Sequence, residues 1–333
     1  MTKVVAFVTN KNTHCGVHQY GAAAFRVLSK SEKYKYDFVP IHNIGVKIPG
    51  HQKNERKQWL QTLECDAIIY NWCPNTMGWL TEEYIDCSSK PQFVITGHEI
   101  VKIMKNISHS FNVNPVSVAD QDITPLPRPL LLDHELVYSP PGDVIKVGTF
   151  GFGQPAKNFD LLVRYVNDSF PAEQQVELNM HIPNGDFIQG QRRFIPDLIK
   201  KCQAEKNNNV VLNITTNFID SMDEMIVKLN GNDINVYLYN DHTKRNTVSS
   251  ILDFSLSARK PIAISNSSMF AHARHVTDIV VNTEELKKPT GSAQNYLPEI
   301  LSKAMLPLQG FYRDWAPEKF ISTIEQRIDA CLN

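Results

Sequence analysis

A glycine-rich segment followed by a lysine is the part of this sequence best suited to bind a phosphate. The apolar run Val144–Phe150 precedes Gly151 and Gly153, and Lys157 follows where a helical pattern begins. A strand that leads through a glycine turn into a helix N-terminus directs free backbone N–H groups and the positive helix end at one point. The pattern predicts an anion site, in which the Lys157 ammonium could close over a diphosphate. The same spacing also suits a tight turn beside a solvated lysine, because short glycine motifs are weak evidence alone.

A second polar segment follows a later predicted strand and leads into a helix expected to begin near Thr247. Its candidate nucleotide ligands are Tyr239, Asn240, Arg245, Thr247, Ser249, Ser250 and Asp253. Consecutive hydroxyls at a helix start suit a phosphate, although they are also ordinary N-cap residues. Asp253 lies about one turn into the helix, where it could bond a ribose hydroxyl or complement the helix dipole. Arg245 could add positive charge or be a solvated loop cation.

Two candidates come from the first half of the chain. Gly16 and Val17 follow the first predicted strand, where the glycine could provide a phosphate-binding N–H or a left-handed turn. His98 follows the fourth strand and could contact a sugar or act in acid–base chemistry, or be a loop histidine without a role. His14 and His18 are four residues apart, but no acidic third ligand is evident nearby. We therefore predict no bound metal.

Apolar strands alternate with helical patterns through both halves of the chain, which predicts parallel, doubly wound α/β sheets. Strands are expected at Lys3–Thr9, Tyr36–Ile41, Cys65–Trp72, Gln92–Thr96, Lys146–Phe150, Glu177–His181, Val210–Thr215, Asn235–Tyr239 and Pro261–Ser265. Helices are expected in the Ala-rich stretch ending at Leu28 and at Lys53–Leu63, Asn158–Asn167, Gln191–Lys206, Ser221–Asn230, Thr247–Ala258 and Ser268–Arg274.

The alternation stops between Val113 and Pro141, where proline, aspartate and glycine are dense. Proline removes backbone donors and excludes helix, so this segment is predicted to be an interdomain linker. The 333 residues suit two cores of ordinary size. The expected domains are 1–140, 141–313 and a terminal helix, 314–333, that returns to the first domain. Ligands bind open α/β sheets at the C-terminal ends of their strands, here on either side of a cleft.

Composition limits the possible partners and the compartment. The formal net charge is −1, so no overall positive field attracts nucleic acid or anionic lipid. No apolar run approaches the ~20 residues of a membrane span, and the N-terminus runs directly into a strand without signal-peptide features. The cysteines show no C-x-x-C pair, which favours free thiols in the cytoplasm. They are Cys15, Cys65, Cys73, Cys87, Cys202 and Cys331.

Together these motifs resemble those of the GT-B glycosyltransferases, in particular the retaining family four. Cys15–Tyr20 matches the opening loop of many members, which lines the acceptor side and approaches the donor phosphate. Gly148–Lys157 looks like the glycine-rich segment whose lysine holds the diphosphate. Val248–Ser265 resembles the stretch after the donor-binding loop, and His98 falls where the family has a histidine that touches the donor sugar.

The sequence departs from the family pattern at four positions. Phe152 stands where the family commonly has an arginine, and Arg259 stands where it has a glycine. The family's two glutamates would fall at Asn246 and Phe254, neither of which is acidic. Arg245 could supply the missing positive charge.

The resemblance implies two Rossmann-like domains facing across a cleft and transfer of sugar from a nucleoside diphosphate sugar (UDP or GDP) to an acceptor hydroxyl. The reaction would be retaining and need neither a cofactor nor a metal. His98 and Lys157 would be the catalytic residues. Lys157, the helix N-termini at Asn158 and Thr247–Ser250, and the backbone N–H groups of Gly16 and Gly153 would stabilise the leaving diphosphate.

The acceptor remains open among a glycan, a lipid-linked sugar, a small molecule and, less readily, nucleic acid. The main alternative is a catalytically degenerate GT-B-like protein that binds a nucleotide or a partner without turnover. A sugar-nucleotide epimerase is a third possibility. It would need carboxylates and a histidine around the sugar, and only His98, Glu99 and Asp253 are available.

Overall fold

The computed structural model describes residues 2–42, 50–97, 105–114, 123–134, 136, 141–183, 191–240, 248–273, 280–281, 312 and 315–332. The chain divides into two compact units. The first comprises Met1–Leu131, Arg245–Val248 and Asp314–Asn333, and the second comprises Leu132–Lys244 and Ser249–Arg313. Across the described residues, none of the helices has both the length and the apolarity that crossing a bilayer requires.

The first unit contains a parallel six-stranded sheet with the order β2-β1-β3-β4-β5-β6. Its strands are β1 (Val4–Asn10), β2 (Lys35–Ile41), β3 (Ala67–Asn71), β4 (Gln92–Thr96), β5 (His109–Asn112) and β6 (Ile123–Pro125). Its helices before residue 114 are α1 (Gly16–Leu28), α2 (Gly50–Thr62), α3 (Pro74–Met77) and α4 (Glu82–Ile85). Every residue of β3 and β4 is buried, as expected for strands covered on both faces.

The second unit contains another parallel six-stranded sheet, with the order β12-β11-β10-β7-β8-β9. Its strands are β7 (Val144–Phe150), β8 (Gln175–His181), β9 (Val210–Thr215), β10 (Ile234–Tyr237), β11 (Ile262–Ser265) and β12 (Val280–Val281). Its helices are α5 (Phe159–Ser169), α6 (Gln191–Glu205), α7 (Met222–Asn230) and α8 (Ile251–Ser257), with 3-10 turns at Pro155–Lys157 and Ser268–Ala273. The predicted doubly wound α/β sheets are confirmed.

Several details differ from the sequence-based expectations, and the short elements α3, α4, β5 and β12 were not among the predicted ones. Ile123–Pro125 forms β6 inside the stretch predicted to be a linker. This short strand lies at the sheet edge, where proline costs no ladder hydrogen bond, so its proline was a misleading signal. β10 ends at Tyr237 rather than Tyr239, and α8 begins at Ile251 rather than near Thr247.

The terminal helix α9 (Pro317–Leu332) packs in the first unit against α1, which confirms the predicted return. Phe320, Ile324 and Ile328 are fully buried at four-residue spacing, so one face of the helix completes that core. Polar contacts fix its last turns. The Tyr34 hydroxyl donates to Asp329 at 2.6 Å.

An asparagine chain crosses the second sheet above Gly148. Asn213 Nδ2 donates to Asn179 Oδ1 at 3.0 Å, Asn179 Nδ2 to Asn232 Oδ1 at 2.9 Å, and Asn232 Nδ2 to Asn235 Oδ1 at 2.9 Å. Gly148 pairs in register with Asn179 on one side and Asn235 on the other. A Cβ atom at Gly148 would overlap the amides of Asn232 and Asn235, so this position needs glycine to make room for the chain.

Gly148→Ala is expected to lower the free energy of unfolding by about 2–4 kcal/mol. The added methyl overpacks a close-fitted region, and moving Asn232 breaks buried hydrogen bonds. Denaturant titration would measure the change. Gly142→Ala is the matched control, because a Cβ atom there meets nothing within 4 Å. Equal stability of the two variants would contradict the prediction.

Candidate functional site

The site in the second unit begins where β7 ends. Gly151 has a φ of +144°, a conformation that side-chain-bearing residues rarely adopt. Its N–H donates to the His181 carbonyl at 2.9 Å, which fixes the loop to β8. A Cβ atom at Gly151 would collide with Lys157 Nζ and lie 2.8 Å from Tyr239 Oη. The glycine therefore lets the backbone approach the Lys157 ammonium closely.

The Lys157 ammonium lies between two aromatic rings. Its Nζ is 4.8 Å from the centroid of Tyr239 and 5.7 Å from that of Phe152. The residue as a whole is half-buried, but protein atoms surround the ammonium at its tip. This burial lowers the pKa of Lys157 to about 7. Among the described residues, no carboxylate forms an ion pair with Lys157, so an anionic ligand would provide the countercharge.

Asn158 joins the two loops that carry these groups. It adopts the left-handed conformation with a φ of 49°, directly before α5. Its Nδ2 donates to the Leu238 carbonyl at 2.5 Å, and its Oδ1 accepts from Asn240 Nδ2 at 3.3 Å. The Asn240 N–H also donates to the Ala156 carbonyl at 2.8 Å. The lysine turn and the segment after β10 are thereby held as one piece.

Tyr239 forms a fixed wall of the site. Its hydroxyl donates to the Phe150 carbonyl at 3.4 Å, and its carbonyl accepts from Ser265 Oγ at 2.6 Å. Its ring packs against Phe270 at a centroid distance of 5.0 Å. Burial raises the pKa of Tyr239 well above its ordinary value, so the phenol is neutral.

The predicted residues around α8 are placed less directly for ligand binding than Lys157 and Tyr239. Ser250 precedes the helix, and its side chain does not cap a helix N–H. The Ser249 N–H donates to the Met269 carbonyl at 3.2 Å. Asp253 is only 4% exposed, so a ribose hydroxyl would have to reach a buried side chain. The start of α8 is nevertheless close to the lysine, because Ile251 Cδ1 lies 3.0 Å from the Cβ position of Gly151.

Gly153 has a packing role in this structure. A Cβ atom there would lie 2.6 Å from Ile195 Cγ1 and 3.2 Å from Ile182 Cγ2, so the glycine lets the loop lie on the apolar core. Gly153 therefore supports the loop from the side of α6.

The predicted segment of the first unit is held by polar side chains from β1 and β3. Gly16 is exposed at the start of α1, and the Val17 carbonyl accepts from Asn71 Nδ2 at 2.7 Å. Asn71 also donates to Thr9 Oγ1 at 2.9 Å. His18 Nδ1 donates to the Asn10 carbonyl at 2.6 Å, a structural role that its spacing alone did not indicate.

Three predicted site residues, His98, Arg245 and Thr247, lie outside the described residues. Two features of the site were not predicted from the sequence. Asn158 was expected to begin the helix whose N-terminus stabilises the diphosphate, but its role in connecting two loops was not predicted. Phe218, whose ring is nearly parallel to that of Phe152, was not selected, although an aromatic residue soon after a strand end is a usable signal.

The two parallel sheets and their helices give the chain the GT-B glycosyltransferase fold. It is similar to Anabaena Alr3699/HepE in complex with UDP and glucose, with 10% identity, 98% of this chain and 100% of that chain covered, and a TM-score of 0.63. It is also similar to an alpha-glucosyltransferase in complex with UDP-glucose and DNA containing an abasic site, with 11% identity, 99% of each chain covered and a TM-score of 0.54.

A glycosyltransferase from Rickettsia africae ESF-5 is a third similar structure, with 10% identity, 100% of this chain and 94% of that chain covered, and a TM-score of 0.57. No protein-family model matches the sequence, and no curated protein matches it. At these identities the likeness defines the fold.

Proposed function

We propose that this protein transfers a glycosyl unit from a nucleoside diphosphate sugar to an acceptor hydroxyl. The observation that carries the proposal is the Lys157 ammonium, which is desolvated between two rings at the C-terminal edge of a parallel sheet. Ligands of such sheets bind at this edge. The UDP and UDP-glucose bound by two similar structures support a UDP-sugar as the first donor to test.

In this proposal the residues of the second unit stabilise the leaving diphosphate. Lys157 contributes positive charge where negative charge develops, in a site with little water to weaken the interaction. Tyr239 and Asn240 form the adjacent wall, and Gly151 gives the phosphates access. Because a lysine provides the charge, the proposed reaction is metal-independent. Retention of configuration, with attack from the face that the diphosphate leaves, follows from the resemblance to family four.

The other predicted residues keep their proposed roles. Ser249 and Ser250 would donate to a phosphate, and Asp253 would accept from a ribose hydroxyl, while Gly16, Val17, Arg245, Thr247 and His98 stay predictions. The acceptor stays open among glycans, lipid-linked sugars, small molecules and, less readily, nucleic acid. All six cysteines are free, which supports a cytoplasmic location.

Calorimetric titration with UDP and GDP, followed by a donor-hydrolysis assay with UDP-glucose and GDP-mannose, tests the proposal. We expect saturable binding of a nucleoside diphosphate and release of that diphosphate from its sugar donor. Absence of binding to both nucleotides would contradict the proposal.

One observation favours a second candidate, a nucleotide-binding protein without turnover. Phe254 occupies the position of one of the family's glutamates, and it is a core residue that packs edge-on against Phe150 at 5.8 Å. A carboxylate is thus replaced by a buried ring. Binding of UDP without release of UDP from any donor in a broad panel would favour this candidate over the enzyme.

A further inference from the structure

The strand at one edge of the second sheet lacks the features that usually keep an edge strand from pairing with another chain. β9 is the last strand of its sheet and, among the described residues, pairs only with β8. Its six residues, Val210–Thr215, include neither a charge nor a proline. The side chain of Val211 is 49% exposed. An exposed edge of this kind is a template for further strand pairing.

Of the four sheet edges that the structure describes, the other three are protected. β2 contains an exposed Pro40 and the ion pair between Lys35 and Asp37. β6 has three residues and ends in Pro125, and β12 has two residues. Proline, charge and shortness are the means by which natural proteins prevent edge pairing. The edge of β9 has none of them, which indicates that another strand covers it in solution.

The backbone groups of β9 that point away from the sheet are those of Leu212 and Ile214. The Ile182 N–H, just after β8, donates to the Thr215 carbonyl at 2.8 Å. Successive residues direct their backbone N–H and C=O groups to opposite sides of a strand. Thr215 and Asn213 therefore face β8, whereas Leu212 and Ile214 face outward. In the part of the chain that the structure describes, no strand lies on that side of β9.

We propose that β9 pairs antiparallel with β9 of a second copy of this chain, which joins the two second sheets into one continuous sheet. A two-fold axis presents the same edge from both copies. With the axis at Asn213, each Leu212 exchanges both backbone hydrogen bonds with Ile214 of the other copy. Val211 then lies opposite Thr215, and β-branched pairs of this kind favour sheet formation. The inference is independent of the proposed function.

The charges around β9 fit this arrangement. The strand itself is uncharged, so no like charges meet across the axis. Lys206 before the strand and Asp220 after it are both exposed. Antiparallel pairing brings the start of each strand to the end of the other, so Lys206 of each copy comes near Asp220 of the other. A parallel pair would instead bring like charges together, which disfavours it.

Sedimentation velocity of the full chain between about 1 and 100 µM tests the proposal, because a single strand edge is a small interface and micromolar association is expected. Leu212→Pro removes an outward N–H and leaves the pairing of β9 with β8 intact. The two-fold axis doubles this loss, so the dissociation constant of the dimer is expected to rise about 5- to 150-fold. Val227→Lys is the control, because it adds charge at a helical valine that is 58% exposed, and it should dimerise like wild type.

Charges placed at the axis test the orientation of the strands. In Asn213→Lys and in Asn213→Asp, like charges face each other across a self-pair, so each variant alone is expected to dimerise at least about tenfold more weakly than wild type. An equimolar mixture is expected to restore the dimer, because a lysine then faces an aspartate. Both variants lose the same hydrogen bond from Asn213 to Asn179, so they are matched in their effect on the fold.

A wild type that stays monomeric throughout this concentration range, or that forms only large aggregates, would overturn the proposal. A dimer of wild-type strength in Leu212→Pro or in either charged variant alone would also overturn it, as would a mixture as monomeric as its components. Thermal unfolding of each variant checks that it is folded. If Leu212→Pro does not fold, the two charged variants decide the question.

Discussion

Lys157→Met is expected to lower the rate of donor hydrolysis by about 10²- to 10³-fold, the usual effect of losing one preorganised charge donor. Methionine fills similar space between Tyr239 and Phe152 but removes the ammonium. Because the ammonium is desolvated in the free protein, its removal should leave the ligand-free Tm unchanged or raised. The measurements are UDP release from UDP-glucose and thermal unfolding without ligand.

Lys200→Met is the control, since Lys200 is exposed on α6. It should leave both hydrolysis and Tm unchanged. If the Lys157→Met variant hydrolyses the donor at the wild-type rate, Lys157 does not contribute to catalysis and the prediction is wrong. A variant with a much lower ligand-free Tm would show that the ammonium stabilises the fold.

Binding of UDP-glucose is expected to take up a proton. The pKa of Lys157 is about 7 in the free protein because burial disfavours its charged form. A diphosphate favours that form and raises the pKa, so affinity is greatest below about pH 7 and falls as the pH rises above it. Above this pH, the affinity for UDP-glucose falls by nearly tenfold per pH unit, as long as the lysine of the bound protein stays protonated. The diphosphate of UDP-glucose has no proton to exchange in this range, so the uptake reports on the protein.

Calorimetry at about pH 8, in two buffers with different ionisation enthalpies, measures this uptake directly. About one proton per bound ligand is expected for wild type. Lys157→Arg is the matched control, because a guanidinium stays charged throughout this range and its binding should show no uptake. Equal heats for wild type in the two buffers would contradict the prediction.

The fold was largely predictable from the sequence because it depends on local patterns. The buried runs of β1, β3 and β4 contain apolar side chains that both faces of a parallel sheet require, and their bounds differ by no more than two residues from those expected. The strands β5, β6 and β12 were missed, because strands of two to four residues contain too little pattern.

The position of Lys157 after a glycine loop was also predictable, but its environment was not. Tyr239 is far from it in sequence, and only the packing of β7 beside β10 brings the two together. The lowered pKa is likewise a property of that packing. The burial of Asp253 shows the same limitation, because a helical pattern does not tell which side chains are buried when every residue of the helix is buried.

The location of α9 has a consequence for the order of synthesis. This helix supplies part of the core of the first unit, yet the ribosome makes it after the second unit. Until α9 has been synthesised, the first sheet therefore has an uncovered apolar surface near Tyr34 and Tyr36. In the complete fold, Tyr34 donates a hydrogen bond to Asp329 of α9, and Glu325 of α9 interacts electrostatically with Tyr36. The second unit can complete its core first, contrary to the usual N-terminal-first order of multidomain chains. A nascent chain stalled before residue 317 would be a natural substrate for chaperones.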